Sequence, residues 1–575
     1  MKLKIIRRSY THAQLENLNF FNSLLARLYA ARGIASPDEL NHKLESLLPV
    51  STLDGIHAAV DLLIAHRQRQ SRILIVGDFD ADGATSTALI VRALRAWGYE
   101  NVDFLVPNRF EYGYGLTPEI VMLAHQREPQ LIITVDNGIS SISGVAAARN
   151  LGIDVLVTDH HLAGAELPNA NVIVNPNMPG SSFGSRSLAG VGVAFYVIVA
   201  LYRSLNDKTL INPATWLDLV ALGTVADVVP LDNNNRVLIA QGLERIRAGR
   251  CTPGLRALLE IGGRNIQTVI ASDLGFAAGP RLNAAGRLDD MSIGISCLLA
   301  DNASEANNIA SRLDQLNLDR RAIEATMQDQ ALAAVRHLEA SGAGSAQDRY
   351  GVCLYDPSWH QGVVGLVAGR LKEKLRRPVI AFADGNDGEL RGSARSVNGV
   401  HVRDLLQAID ARRPGLLIRF GGHAMAAGLS LRATSLDEFA REFDDEVAHW
   451  QQGGSLADRI ETDGELRSSE ISLDTAQLLR SAGPWGQAFP EPQFDQVFNI
   501  KSTRVVGERH LKMWVELEGE PGRFDAIAFN FFQGGDVQSK IPERARLVYR
   551  LDINEYGGER RLQLIIDQVL SEHLA

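Results

Sequence analysis

The chain has 575 residues, 45% of them hydrophobic and 22% charged, and a formal net charge of -10. That length exceeds what one hydrophobic core organises and predicts roughly three or four domains, with a composition that excludes disordered and fibrous classes. A negative balance is awkward for a nucleic-acid binder, which as a rule presents a basic face, yet acidic metal ligands inflate the count while local arginine clusters can still hold phosphate.

The N-terminal stretch MKLKIIRRSYTHAQLENLNF has no apolar run ending in a small-residue cleavage site, so a cytoplasmic protein without a secretory leader is expected. Residues 1–70 read as a helical lead-in, with Ser36 as an N-cap before Pro37. The longest apolar run, VGVAFYVIVALY at 191–202, is too short to span a bilayer and predicts a buried helix; no membrane partner is expected. Cys251, Cys297 and Cys353 lack CxxC spacing, which argues against a disulfide framework and a thiolate metal site.

Within a domain expected over residues 71–300, the chain from 71 to about 230 repeats an apolar run, then Asp with small residues, then a helical stretch. The runs are RILIVGDFD (72–80), LIITVDNG (131–138) and DVLVTDHH (154–161). Continuous β-branched runs alternating with helices predict a parallel α/β sheet covered on both faces, with the acidic residues at the edge where such sheets bind ligands. Residues 301–345 predict a long connecting helix, because 302–341 contain neither Gly nor Pro and apolar residues recur at spacings of three and four. A smaller α/β domain is expected over 346–450, closing in Gly-rich turns at RGSARS (391–396) and FGGHAMAAG (420–428). After QQGGSLAD (451–458), the alternating segments of 455–575 predict an OB-like β-barrel.

The densest chemistry lies in GDFDADGATS (77–86). A calcium loop would need a Glu six residues after the glycine, where Leu89 stands, and a helix before it instead of a strand. A phosphatase nucleophile pair at Asp78 and Asp80 is weakened by their company: Asp136 in VDNG, TDHH at 158–161 and Asp227 in TVADVVP. Carboxylates and imidazoles gathered at one edge repel or take up protons unless cations sit among them. Two divalent ions offset four carboxylates, and oxygen ligands with one or two imidazoles suit Mn²⁺ or Mg²⁺. Two such ions activate water and clamp an in-line phosphoryl displacement. Taken singly, an Asp after a strand is more often a helix cap and a lone His more often a core or surface residue; it is the ordered set that points to function.

GDFDADGATST, VDNGIS, TDHH, SLAGVGVAF, GTVADVVPL and GPRLNAAGRL together resemble the ordered motifs of the DHH phosphoesterase superfamily, and RGSARS and GGHAMAAG resemble its DHH-associated domain. Within the superfamily the chain is similar to the single-strand-specific 5′→3′ DNA exonucleases, over roughly residues 70–450 and then the barrel. The resemblance implies that Asp78, Asp80, Asp136, His160 and Asp227 are metal ligands, that His161 faces the scissile phosphate, and that Asp159 orients its neighbours. Asp82 belongs to the motif, with a structural role as its alternative. The resemblance further implies release of 5′-mononucleotides in recombination and repair, with a single-strand-binding protein and a recombination helicase as partners.

Guanidinium forks and backbone N–H groups suit phosphate best. Arg109, Arg281, Ser393 and Arg395 are the side-chain candidates, with Gly421, Gly422 and His423 beside them, each also explicable as a surface ion pair or a tight turn. The resemblance places a 5′-phosphate pocket between the two α/β domains. In the barrel, Trp514, Phe529, Phe531, Phe532 and Tyr549 could stack bases, although strand alternation buries about half of such residues. The competing functions are a phosphodiesterase for short oligoribonucleotides or cyclic dinucleotides, a pyrophosphatase, and a non-catalytic replication or repair scaffold.

Overall fold

The computed structural model describes residues 4–108, 112, 114–340, 349–385, 388–451, 459–507, 509–520, 522–532, 541–555 and 559–570. It divides into two compact units, one built mainly from residues 3–283, 290–314 and 459–575, the other from 284–289 and 315–458. Among the described residues no single helix is long and apolar enough to cross a membrane.

The lead-in is not wholly helical: it opens with strand β1 (Lys4–Arg7). The first unit is then organised by a five-stranded parallel sheet of β2 (Ile73–Gly77), β3 (Val102–Leu105), β4 (Leu131–Val135), β5 (Asp154–Thr158) and β6 (Val172–Val174), in the order β3-β2-β4-β5-β6. All five residues of β2 and of β4 are buried, as expected of strands covered on both faces. Three helices frame the site, α1 (Ala81–Ala96), α2 (Gly190–Leu205) and α3 (Leu217–Ala226), and α4 (Asn233–Arg247) packs against α3. The apolar run singled out in the sequence lies in α2 and is buried along most of its length.

The long helix α5 (Ala303–Ala340) has 38 residues and runs from the first unit into the second. The second unit carries a mixed sheet of β7 (Val352–Tyr355), β8 (Val379–Asp384), β9 (Glu389–Arg395), β10 (Arg419–Gly422) and β11 (Ala426–Arg432), ordered β10-β11-β9-β8-β7. The segments expected as Gly-rich turns are therefore largely strands: RGSARS lies in and just after β9, and FGGHAMAAG forms the β10–β11 hairpin. The glycines misled because one of them serves packing; a Cβ on Gly392 would stand 2.5 Å from the Phe382 ring.

Returning to the first unit, β12 (Arg459–Thr462) pairs in parallel with β1, and Arg32 reaches Asp463 through buried hydrogen bonds of 2.9 and 3.0 Å. A helix α6 (Leu473–Ser481) precedes a closed barrel of β13 (Phe494–Val506), β14 (His510–Leu517), β15 (Arg523–Ala528), β16 (Arg544–Asn554) and β17 (Arg561–Leu570). The barrel closes through the parallel β15–β17 pair, in the order β13-β14-β15-β17-β16, so it is the OB-like fold expected. The linker QQGGSLAD lies, apart from Gln451, outside the described residues.

Candidate metal centre

The register of the parallel sheet sets the site. Gly77, Val135 and Thr158 are aligned across β2, β4 and β5, so Asp78, Asp136 and Asp159 leave the sheet at one level. Asp80 caps α1, its Oδ1 accepting the N–H groups of Asp82 at 2.9 Å and Gly83 at 3.0 Å. A Cβ on Gly83 would stand 2.6 Å from the Asp78 carbonyl oxygen, so glycine permits the strand to fold back into the helix. GDFDADG is thus a strand-to-helix turn. Asp227 departs from the expected placement: it caps the C-terminus of α3 instead of ending a strand.

Three overlapping groups have ligand atoms within 4.8 Å of one another: Asp78, Asp80 and Asp136; Asp136, His160 and His161; Asp82, His160 and Asp227. His160 Nε2 lies 3.1 Å from Asp136 Oδ1 and 3.5 Å from Asp227 Oδ2. Yet Asp136 Oδ1 and His160 Nε2 are both buried and neither makes a hydrogen bond. Buried polar atoms are almost always satisfied, and a cation between these two would satisfy both. Burial, then the neighbouring carboxylates Asp82, Asp80 and Asp78, hold Asp136 and Asp227 well above the usual carboxylate range. Burial and the charge of His161 push His160 down to about 4, leaving it a neutral imidazole, the form that binds metal. The donor set therefore fits hard divalent cations.

His161 sits differently. Burial would lower it, but the hydrogen bond and charge of Asp159 outweigh burial and hold it above its ordinary value. Asp159 Oδ1 accepts His161 Nδ1–H at 2.7 Å and the N–H groups of His160 and His161, while Oδ2 accepts the N–H of Ile139 at 2.9 Å. Nδ1 of His161 is thereby committed to Asp159. Three residues that sequence reasoning passed over complete this corner. The Tyr114 hydroxyl lies 3.2 Å from His161 Nδ1 and 3.2 Å from the Asp136 carbonyl oxygen, and Asn175 and Asn177 donate to the carbonyls of His161 and His160 at 3.0 and 2.6 Å. Tyr114 stands five residues after Arg109, which the sequence analysis singled out as a phosphate candidate.

Asp82 is turned into the protein. Its carboxylate accepts the first N–H groups of α2, Gly190 at 2.6 Å and Val191 at 2.9 Å, and burial and Asp80 push it up to about 7. The same helix start is glycine for a second reason: a Cβ on Gly190 would stand 2.7 Å from Asp136 Cβ.

Of the phosphate candidates, Arg109 lies outside the described residues. Arg281 is buried, donating to the Ala277 carbonyl at 2.7 Å and pairing with Asp314 at 2.7 Å. In the second unit, Arg395 donates to Ser393 Oγ at 2.9 Å, and both side chains pack over Gly365, where a Cβ would stand 2.8 and 2.9 Å from them. Strand register places Ser393, Gly428 and Gly421 side by side across β9, β11 and β10. His423 is exposed in the adjoining hairpin, beside Gly422 at φ 140.

Three parts of the chain match known families. Residues 72–224 match the DHH family N-terminal domain, 348–449 the DHHA1 domain and 462–568 the RecJ OB domain. The chain is 54% identical to the single-stranded-DNA-specific exonuclease RecJ of Salmonella typhimurium, across 95% of each chain. The chain belongs to the RecJ family. The crystal structure of RecJ from Thermus thermophilus in complex with Mn²⁺ matches all of this chain and 81% of its own, with a TM-score of 0.80 at 29% identity. The same protein in complex with Mg²⁺ matches all of this chain and 79% of its own, with a TM-score of 0.76 at 27% identity.

Proposed function

We propose that the protein hydrolyses phosphodiester bonds from the 5′ end of single-stranded DNA, releasing 5′-mononucleotides, with Mn²⁺ or Mg²⁺ at the sheet edge. The observation that carries this is the unsatisfied Asp136 Oδ1–His160 Nε2 pair inside a cluster of raised carboxylates, in a member of the RecJ family. Asp78, Asp80, Asp136, His160 and Asp227 would hold two ions. When bound, such ions supply an activated water and charge stabilisation for phosphoryl displacement.

The chain's own residues supply the rest. Asp159 fixes His161 and holds it toward its protonated form, so that Nε2–H can donate to a non-bridging oxygen of the scissile phosphate. Asp82 sets the start of α2, which lies against Asp136. Ser393, Arg395 and the glycine strip at Gly421 and Gly422, with His423, would receive the terminal phosphate, together with Arg109; Arg281 would act through its pair with Asp314. This reading keeps the division into lead-in, catalytic domain, connecting helix, DHH-associated domain and barrel. It also keeps a cytoplasmic setting and partnership with a single-strand-binding protein and a recombination helicase.

The test is degradation of matched single-stranded oligonucleotides blocked at the 5′ or the 3′ end, with Mn²⁺, by wild type and Asp136→Ala. Loss of only the 3′-blocked strand, abolished by the substitution, is expected; survival of both strands would favour a scaffold, and loss of short RNA alone an oligonucleotide phosphodiesterase.

A further inference from the structure

One oxygen atom, that of the Tyr114 hydroxyl, touches both halves of the site. It lies 3.2 Å from the Asp136 carbonyl oxygen and 3.2 Å from His161 Nδ1, and so joins the backbone of a metal ligand to the histidine assigned to the scissile phosphate. The proton count fixes the direction of each contact. A carbonyl can only accept, so the single hydroxyl proton goes to Asp136. His161 Nδ1–H, donated to Asp159 Oδ1 at 2.7 Å, then meets a lone pair of the Tyr114 oxygen as a second and longer acceptor.

The backbone of Asp136 calls for such a donor. Asp136 has a φ of 61°, a left-handed conformation that few residues other than glycine adopt. Its N–H continues the parallel ladder to the Thr158 carbonyl at 3.0 Å, but the His160 N–H that would return to the Asp136 carbonyl donates to Asp159 Oδ1 at 2.7 Å instead. The Tyr114 hydroxyl takes that place. Backbone strain persists only where the surroundings over-determine it; here Gly190 packs on the Asp136 side chain and Tyr114 holds the carbonyl. Tyr114 is itself anchored. Gly115 has a φ of 78°, and a Cβ there would stand 2.9 Å from Ser141 Oγ, the atom that accepts the Leu116 N–H at 2.9 Å. The ring meets Phe79 and His161 edge to face, with centroids 6.2 and 5.8 Å away. It is 44% exposed, so removing the hydroxyl alone opens no cavity in a core.

We propose that Tyr114 is a positioning residue for the hydrolysis. Through one hydroxyl it holds Asp136 in the turn that aims its carboxylate into the metal cluster, and it steadies the back of the His161 imidazole, so that ligand and histidine keep a fixed spacing. The proposal rests on the exonuclease reading and adds a residue to it. Outer partners of this kind are worth about 10–100-fold in metal affinity or activity.

The test compares wild type with Tyr114→Phe in the full chain. Calorimetric titration with Mn²⁺ alone, without DNA, reads the hold on Asp136: the variant should bind about tenfold more weakly while melting like wild type in chelator. Degradation of single-stranded DNA at saturating Mn²⁺ reads the hold on His161: kcat should fall about tenfold, with KM within about twofold. In a His161→Ala background the same substitution should change kcat by less than about twofold, because the imidazole it steadies is gone. Wild-type Mn²⁺ affinity in Tyr114→Phe, or a kcat loss as large in the His161→Ala background as in wild type, would overturn the proposal. The Mn²⁺ titration separates the two ideas: wild type that binds Mn²⁺ more tightly than Tyr114→Phe yet leaves single-stranded DNA intact would sink the exonuclease reading and leave the hold on Asp136 standing.

Discussion

At the scale of single residues, the instructive case is Asp82, which shares a motif with Asp78 and Asp80 but points at the start of α2. Its carboxylate satisfies two helix N–H groups that would otherwise be orphaned in the interior. An amide keeps the shape and one acceptor but turns a donor toward the second N–H. Asp82→Asn should therefore cost roughly 1–3 kcal/mol, the range for a broken charge-assisted hydrogen bond, measured as a lower denaturant midpoint at unchanged slope. An unchanged midpoint would show that the carboxylate belongs to the metal set instead. Motif spacing identified Asp78, Asp136 and TDHH because all of them follow strands whose ends coincide. It could not show that Asp227 leaves a helix, or that Tyr114 reaches His161, because neither contact has a period in sequence.

At the scale of elements, the barrel separates its aromatic residues, by strand face for Trp514 and Tyr549 and within the turn after β15 for Phe529 and Phe532. Tyr549 is fully buried and Phe532 6% exposed, whereas Trp514 is 41% and Phe529 54% exposed. Alternation along β14 was legible, but which parity faces outward depends on closure through β17. Arg523 lies 4.9 Å from the Trp514 ring centroid and covers one face of it, which adds a cation to an exposed aromatic surface. Trp514→Ala should weaken single-stranded DNA binding by roughly 1–3 kcal/mol, the value of one stacked base, without lowering the melting temperature. Tyr549→Ala should instead destabilise by about 3–5 kcal/mol, as removal of a buried ring does. The reverse pattern would place the binding face elsewhere. RGSARS was misjudged at this scale because a glycine that makes room for Phe382 looks, in sequence, like one that makes a turn.

At the scale of the whole molecule, the metal-free protein carries an electrostatic liability that cations remove. Asp136 and Asp227 have folded-state values raised well above the ordinary 3.8, and Asp82 is raised to about 7, so the folded state binds protons more readily than the unfolded chain. Stability from these groups is fully present below the unfolded value and is lost as pH rises through the folded ones. His160 works in the opposite sense: lowered from 6.5 to about 4, it contributes stability above 6.5 that is lost as pH falls toward 4. Asp159, held below 3.8, adds stability that is lost only in stronger acid. Above 6.5 the His160 contribution is complete, while the raised carboxylates and His161, held above its ordinary value by Asp159, all lose stability as pH rises, so the melting temperature in a chelator should fall as pH is raised past neutrality. Mn²⁺ binds the deprotonated ligands and should raise the melting temperature more at alkaline than at mildly acidic pH. Asp136→Asn should raise the melting temperature in chelator, since it removes a buried repelling charge, and should lose most of the Mn²⁺-induced increase. Melts in chelator and in Mn²⁺ across this pH range decide the matter: a chelated protein that gains stability with rising pH would mean that these carboxylates are neutralised by something other than a bound cation.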